Sequence, residues 1–238
     1  FLSCFFPFPA LHFSRIRPLY NFNDIREFLT KHLTQILKRV EGSGQKGALV
    51  LEGGSLRCLF TAGVLDVLTE ENIQLSYVNG VSAGTMAGMN YISGQKGRML
   101  EINETYLHDK RYMGMRSLIK NRLVFNFDFI FGELSDELIP FDYEAFYSSP
   151  QKFEAAATRC RTGKTEFFEK SQCSDMMKAV QASCSMPLLS KMVTVDHKKI
   201  SGRRHFPAHG LPEGYGSGDI KKIVLVLTRN QWIPEKAF

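Results

Sequence analysis

The chain has 238 residues, 44% of them hydrophobic, and a formal net charge of +6. That length holds one α/β domain of ordinary size, and no stretch reaches the roughly 20 apolar residues that a membrane-spanning helix needs. The five cysteines (Cys4, Cys58, Cys160, Cys173, Cys184) are odd in number and lack Cys-x-x-Cys spacing, which argues against a disulfide framework or a zinc site and for a reduced, cytoplasmic setting.

The positive charge is concentrated. Residues 1–46 carry seven Lys/Arg against three Asp/Glu, and residues 197–213 carry Lys198, Lys199, Arg203 and Arg204 against Glu213. Those two segments contribute +4 and +3, so the rest of the chain nets −1. Two basic segments are not a basic face, and no nucleic-acid partner is expected.

The chain starts at Phe1, and the apolar stretch Phe1 to Phe13 is interrupted by Pro7 and Pro9 with no basic residue before it. It reads poorly as a signal peptide, and a fragment boundary or read-through from upstream of the true start suits it at least as well. Asp24 to Val40 has apolar residues at helical spacing, from Ile25 and Phe28 through Leu33 to Val40, and predicts an amphipathic helix packed on a core. Gly42 to Gly47 matches Gly-x-Gly-x-x-Gly, but it precedes a strand instead of following one, so it is not a dinucleotide loop.

Ala48 to Leu51 predicts a buried strand, Leu56 to Glu70 a helix, and Gln74 to Val78 a second strand. A helix through Tyr91 follows, then another over Gly97 to Leu107. Strand, turn, helix, repeated, predicts parallel pairing with helical crossovers. Arg111 to Phe146 is aromatic-rich and less regular. The alternation of Phe125, Phe127, Phe129 and Phe131 predicts an extended segment with one apolar face. With Tyr143 these rings either line an apolar substrate pocket or pack in the core. Phe153 to Arg159 and Thr165 to Phe168 predict a hairpin, Asp175 to Ser185 a helix stopped before Pro187, Met192 to Lys198 a hairpin over Asp196-His197, and Ile223 to Leu227 a late buried strand.

The chemistry lies in two glycine turns, each between a strand and a helix. Gly80-Val81-Ser82-Ala83-Gly84 is a Gly-x-Ser-x-Gly nucleophile elbow, in which a strained turn presents the Ser82 hydroxyl above the sheet. Upstream, Gly53-Gly54-Ser55-Leu56-Arg57 opens a helix and offers backbone N–H groups without intrahelical partners, which suit an oxyanion. Arg57 adds positive potential. The alternative of a phosphate loop lacks the Gly-Lys-Ser/Thr ending. Together the turns suggest a serine acyl hydrolase.

The run Leu49 to Asp66, followed by Val78-Asn79-Gly80-Val81-Ser82-Ala83-Gly84, resembles bacterial patatin-like phospholipases. The likeness continues through Asp109 to Tyr112, Pro140 to Tyr143 and Ala182 to Pro187, and returns at Lys222 to Asn230. The resemblance implies a three-layer α/β/α fold around a mostly parallel sheet. It also implies hydrolysis of lipid acyl esters by a Ser–Asp dyad, with Ser82 as nucleophile, Gly53 to Arg57 as the oxyanion loop and neither cofactor nor metal. Residues 1–46 then form an N-terminal extension and 47–238 the hydrolase domain. Peripheral contact with a membrane is compatible with such substrates.

This chain departs from the family pattern at three places. Ser55 and Cys58 stand where glycine is usual, and Cys58 is expected to crowd the loop. The third is larger: the aspartate expected in an Asp-Gly turn is missing, because no Asp-Gly pair occurs in the sequence. Its place reads Ile200-Ser201-Gly202-Arg203-Arg204-His205-Phe206-Pro207, inside an aberrant segment at about 197–219. Asp196 comes too early and Asp219 too late. A shift of one base, with suitable codons, turns that stretch into Phe-Leu-Asp-Gly-Gly-Ile-Ser. His205 and His209 are candidate bases of a Ser-His-Asp type. The competing function is a catalytically dead scaffold that binds acyl lipid or a membrane surface.

Overall fold

The computed structural model describes residues 2–3, 46–113, 125–185, 193–201 and 220–228. The predicted helix over Asp24 to Val40 and the segment 202–219 lie outside those residues, as do His205, His209 and Asp219. In chain order the strands are β1 Leu2–Ser3, β2 Lys46–Leu51, β3 Tyr77–Val81, β4 Lys152–Arg159, β5 Thr165–Glu169, β6 Val193–Val195, β7 Lys198–Ser201 and β8 Ile220–Val226. The helices are α1 Cys58–Glu70, α2 Ala83–Ile92, α3 Arg98–Tyr106, α4 Phe127–Ile130, α5 Tyr143–Ser148 and α6 Met176–Cys184. A 3₁₀ turn over Ser55–Arg57 leads into α1. No helix among the described residues is long and apolar enough to cross a membrane.

The strands join in one sheet, in the order β1-β8-β2-β3-β4-β7-β6, with β5 on β4. The pairs from β1 to β4 are all parallel. β2 sits between β8 and β3, so Leu51 lies opposite Val226 on one side and Gly80 on the other. β4 carries antiparallel additions: Thr158 has Thr165 of β5 on one edge and Ser201 of β7 on the other. β7 therefore takes over the edge of β4 where β3 ends. The mixed sheet with flanking helices agrees with the expected α/β fold.

The period-2 alternation of strands decides what each face buries. Leu49, Leu51, Val78, Phe153, Ala155, Val224 and Val226 point to one face and join a single apolar cluster with α1, α2 and α6. Complete burial of one such side chain, Phe153, contributes about 1.5–3 kcal/mol. Ala48, Val50, Tyr77, Val81 and Ala156 on the other face are buried as well.

Helix ends follow from local chemistry. Asn72 takes φ 54° just after α1, while Ile73 N–H donates to Leu68 O at 2.8 Å and Asn72 N–H to Thr69 O at 3.1 Å. Those two bonds make a Schellman stop, and asparagine tolerates the left-handed position it needs. Asp142 and Asp175 cap α5 and α6 through their side chains. In the β6–β7 hairpin both turn residues, Asp196 and His197, have positive φ, as a two-residue primed turn requires.

Two expectations are corrected. The second strand runs over Tyr77–Val81 instead of Gln74 to Val78, since pairing with β4 starts at Tyr77 and still holds at Asn79, Gly80 and Val81. The alternating phenylalanines do not form an extended segment: Phe127–Ile130 is a helical turn, with the Asn126 side chain accepting Phe129 N–H. Phe127, Phe129 and Ile130 are all buried in a second apolar cluster with Ile102, Tyr112 and Leu134. Burial on more than one side of the segment removes the one-faced environment that alternation implies.

Candidate active site

Ser82 is the single residue between β3 and α2, with φ 54° and ψ −129°. A side chain held in that region costs about 1–3 kcal/mol and persists only where the surroundings enforce it. Here both ends of the residue are gripped. Its N–H donates to Ser183 Oγ at 2.8 Å, and that hydroxyl donates onward to Ala156 O at 2.6 Å. Its carbonyl accepts from Thr85 N–H at 2.8 Å and from the Thr85 hydroxyl. The side chain is half-buried.

The elbow is tight because its glycines leave no room. A Cβ on Gly84 would stand 2.7 Å from Leu51 O and 2.9 Å from Glu52 O, so α2 starts directly against the end of β2. The loop after β2 is equally close to the serine: a Cβ on Gly53 would stand 2.9 Å from Ser82 Cβ and 2.8 Å from Val81 O. The sheet thus brings the two glycine turns together.

Along that loop, Arg57 N–H donates to Gly54 O at 3.1 Å and starts the 3₁₀ turn. The N–H groups of Gly54, Ser55 and Leu56 donate to no group among the described residues, as expected ahead of a helix. Ser55 takes φ 52°, which explains physically why glycine suits this position. Arg57 is exposed. Cys58 turns its side chain into the core, fully buried, with Sγ directed to Glu52 O at 3.4 Å, and so does not crowd the loop.

Sequence reasoning missed Ser183, Thr85 and Cys184 as neighbours of the serine. Thr85 Oγ1 and Cys184 Sγ are 4.0 Å apart. Burial pushes the Cys184 thiol up to about 12, against the smaller opposing pull of the Thr85 and Ser82 hydroxyls. The serine therefore has a neutral thiol beside it. Among the described residues no carboxylate or imidazole hydrogen-bonds to Ser82. Asp196 is exposed in its hairpin turn, where its Oδ1 accepts from Ser174 Oγ at 2.5 Å.

A cavity of about 40 Å³ opens between α2, α3 and the stretch from Ile130 to Tyr143. Met86, one turn along α2 from Ser82, lines it together with Met89, Met99, Ile102 and Leu134. Of the five aromatic residues expected at a pocket or in the core, Phe131 and Tyr143 line this cavity, whereas Phe127 and Phe129 pack in the second cluster. That cluster also touches Met86 and Cys184.

A strained serine at a strand-to-helix turn thus lies against a glycine loop that follows the neighbouring strand. The family model for patatin-like phospholipases matches residues 49–207, and the chain belongs to that family. No curated protein matches the chain.

Proposed function

We propose that the protein is a lipid acyl hydrolase in which Ser82 attacks the ester carbonyl and the Gly53–Arg57 loop supplies N–H donors to the oxyanion. The family supports ester-linked lipids as the substrate class. The observation that carries the reading is the joint geometry of Ser82 and Gly53. The serine is fixed in a conformation that only a shaped turn maintains, and the glycine loop lies against its Cβ. In such a site the hydroxyl loses its proton to a base as it bonds to the carbonyl carbon, and the alcohol or lysolipid leaves. Water then releases the fatty acid from the acyl-serine.

The family's dyad would take its base from an aspartate just beyond β7, and this chain offers no Asp-Gly pair there. Without that partner, the turn and the N–H donors alone leave a slow reaction, on the order of 10⁴-fold below that of a complete dyad. Purified protein and Ser82→Ala are compared on a short-chain nitrophenyl ester. Slow hydrolysis that depends on Ser82 supports the reading, and equal background from both proteins overturns it.

A further inference from the structure

We infer that Thr228, two residues past the end of β8, is a positioning residue that sets the direction of the Gly53–Gly54 peptide and so aims its N–H at the serine. The inference rests on the function proposed above. The Thr228 hydroxyl lies 2.8 Å from Gly53 O and 3.1 Å from Glu52 Oε2. The same carboxylate oxygen accepts Thr228 N–H at 2.7 Å. Glu52 is 8% exposed and its N–H donates to Val226 O at 3.0 Å, so the clasp continues the β2–β8 ladder past its last rung.

One hydroxyl has one proton to give, and the shorter of its two contacts is the Gly53 carbonyl. In a trans peptide the carbonyl oxygen and the next N–H point in opposite directions. Pinning Gly53 O toward β8 therefore turns the Gly54 N–H away from β8. The strand order is β8-β2-β3, so "away from β8" is the side of β3, where Ser82 stands. Gly53 already lies against Ser82 Cβ.

Packing enforces the same arrangement. A Cβ on Gly54 would fall 2.5 Å from Thr228 Oγ1 and 2.9 Å from Thr228 Cβ. The threonine thus occupies the space a side chain would need, and glycine at 54 is a consequence of Thr228. Glu52 holds the threonine through its backbone, and the threonine holds the loop through its hydroxyl. Without the hydroxyl, two successive glycines leave this peptide unit free to rotate.

The test uses the full chain and two variants. Thr228→Val keeps the shape and the backbone bond to Glu52 but removes the hydroxyl, and Thr228→Ser restores it. Crystal structures read the Gly53 carbonyl directly and do not depend on turnover. In Thr228→Val the carbonyl is expected to leave its wild-type direction, and in Thr228→Ser to keep it. On the nitrophenyl ester, Thr228→Val is expected to lower kcat about ten- to hundredfold with KM within about threefold, and Thr228→Ser to stay near wild type. A carbonyl unmoved in Thr228→Val, or one that moves while kcat holds, overturns the inference. Equal rates for wild type and Ser82→Ala overturn only the serine reading, and the carbonyl direction then decides the clasp by itself.

Discussion

The backbone N–H of Ser82 is held by the side chain of a residue 101 positions later, Ser183, at 2.8 Å. Ser183 is 1% exposed and hands its own proton to Ala156 O on β4. A single hydroxyl thus satisfies a donor on the elbow and an acceptor on the neighbouring strand. Ser183→Ala leaves both buried groups unpaired and is expected to cost about 1–3 kcal/mol. Ser183→Thr, which keeps the hydroxyl, is expected to lose less. Denaturant unfolding of the two variants measures the difference, and the Ser82-dependent rate should fall with Ser183→Ala.

Ser55 holds a left-handed conformation at φ 52° with its side chain exposed. A residue with a Cβ pays about 1–2 kcal/mol there, which glycine avoids at some cost in chain entropy. Ser55→Gly is therefore expected to raise stability by up to about 1 kcal/mol without lowering Ser82-dependent turnover. Thermal unfolding together with the ester assay checks both parts.

The cysteines should differ sharply in reactivity. Cys58 and Cys184 are both pushed up to about 12, with burial the largest cause in each case, whereas Cys160 is exposed. At pH 8 only on the order of 10⁻⁴ of such a buried thiol is ionised, and the thiolate is the reactive form. Iodoacetamide on the native protein should modify Cys160 and spare Cys58 and Cys184, as read by peptide mass spectrometry. Denatured protein should lose the distinction.

Glu154, on the sheet face away from α2, is 7% exposed and accepts from the Tyr77 hydroxyl at 2.5 Å. Burial raises its carboxyl above the ordinary value of 4.5, while Tyr77 and Lys152 pull it down and Glu169 pushes it up. A carboxyl raised in the folded state binds its proton more tightly when folded, so stability falls as pH rises from the unfolded value up through the raised folded one. Glu154→Gln keeps an acceptor for Tyr77 and removes the charge. The variant is expected to gain on wild type as pH rises above 4.5 and to show no advantage below it. Thermal midpoints between about pH 3 and 8 test the sign.

The sequence alone made the elbow legible, because Gly80, Ser82 and Gly84 carry their backbone requirements in their identities. The start of α6 at Asp175 and the hairpin turns were legible for the same reason: each depends on a few adjacent residues. The order of strands was not, since parallel pairing joins β8 to β2 across more than 150 positions and no local signal marks the partner. The grips on the site at Ser183 and Thr228 were hidden too, because a serine on a helix and a threonine after a strand look ordinary until the sheet places them. The phenylalanines from 125 to 131 misled because alternation describes a strand with one buried face, and their surroundings bury the segment more fully.

The proposed role of Ser82 as nucleophile is tested most directly by a fluorophosphonate probe. The protein is labelled, digested and analysed by mass spectrometry beside Ser82→Ala. The account predicts a single phosphonylated serine, Ser82, and no adduct in the variant. An adduct on another residue, or wild-type protein as unlabelled as Ser82→Ala, would contradict it.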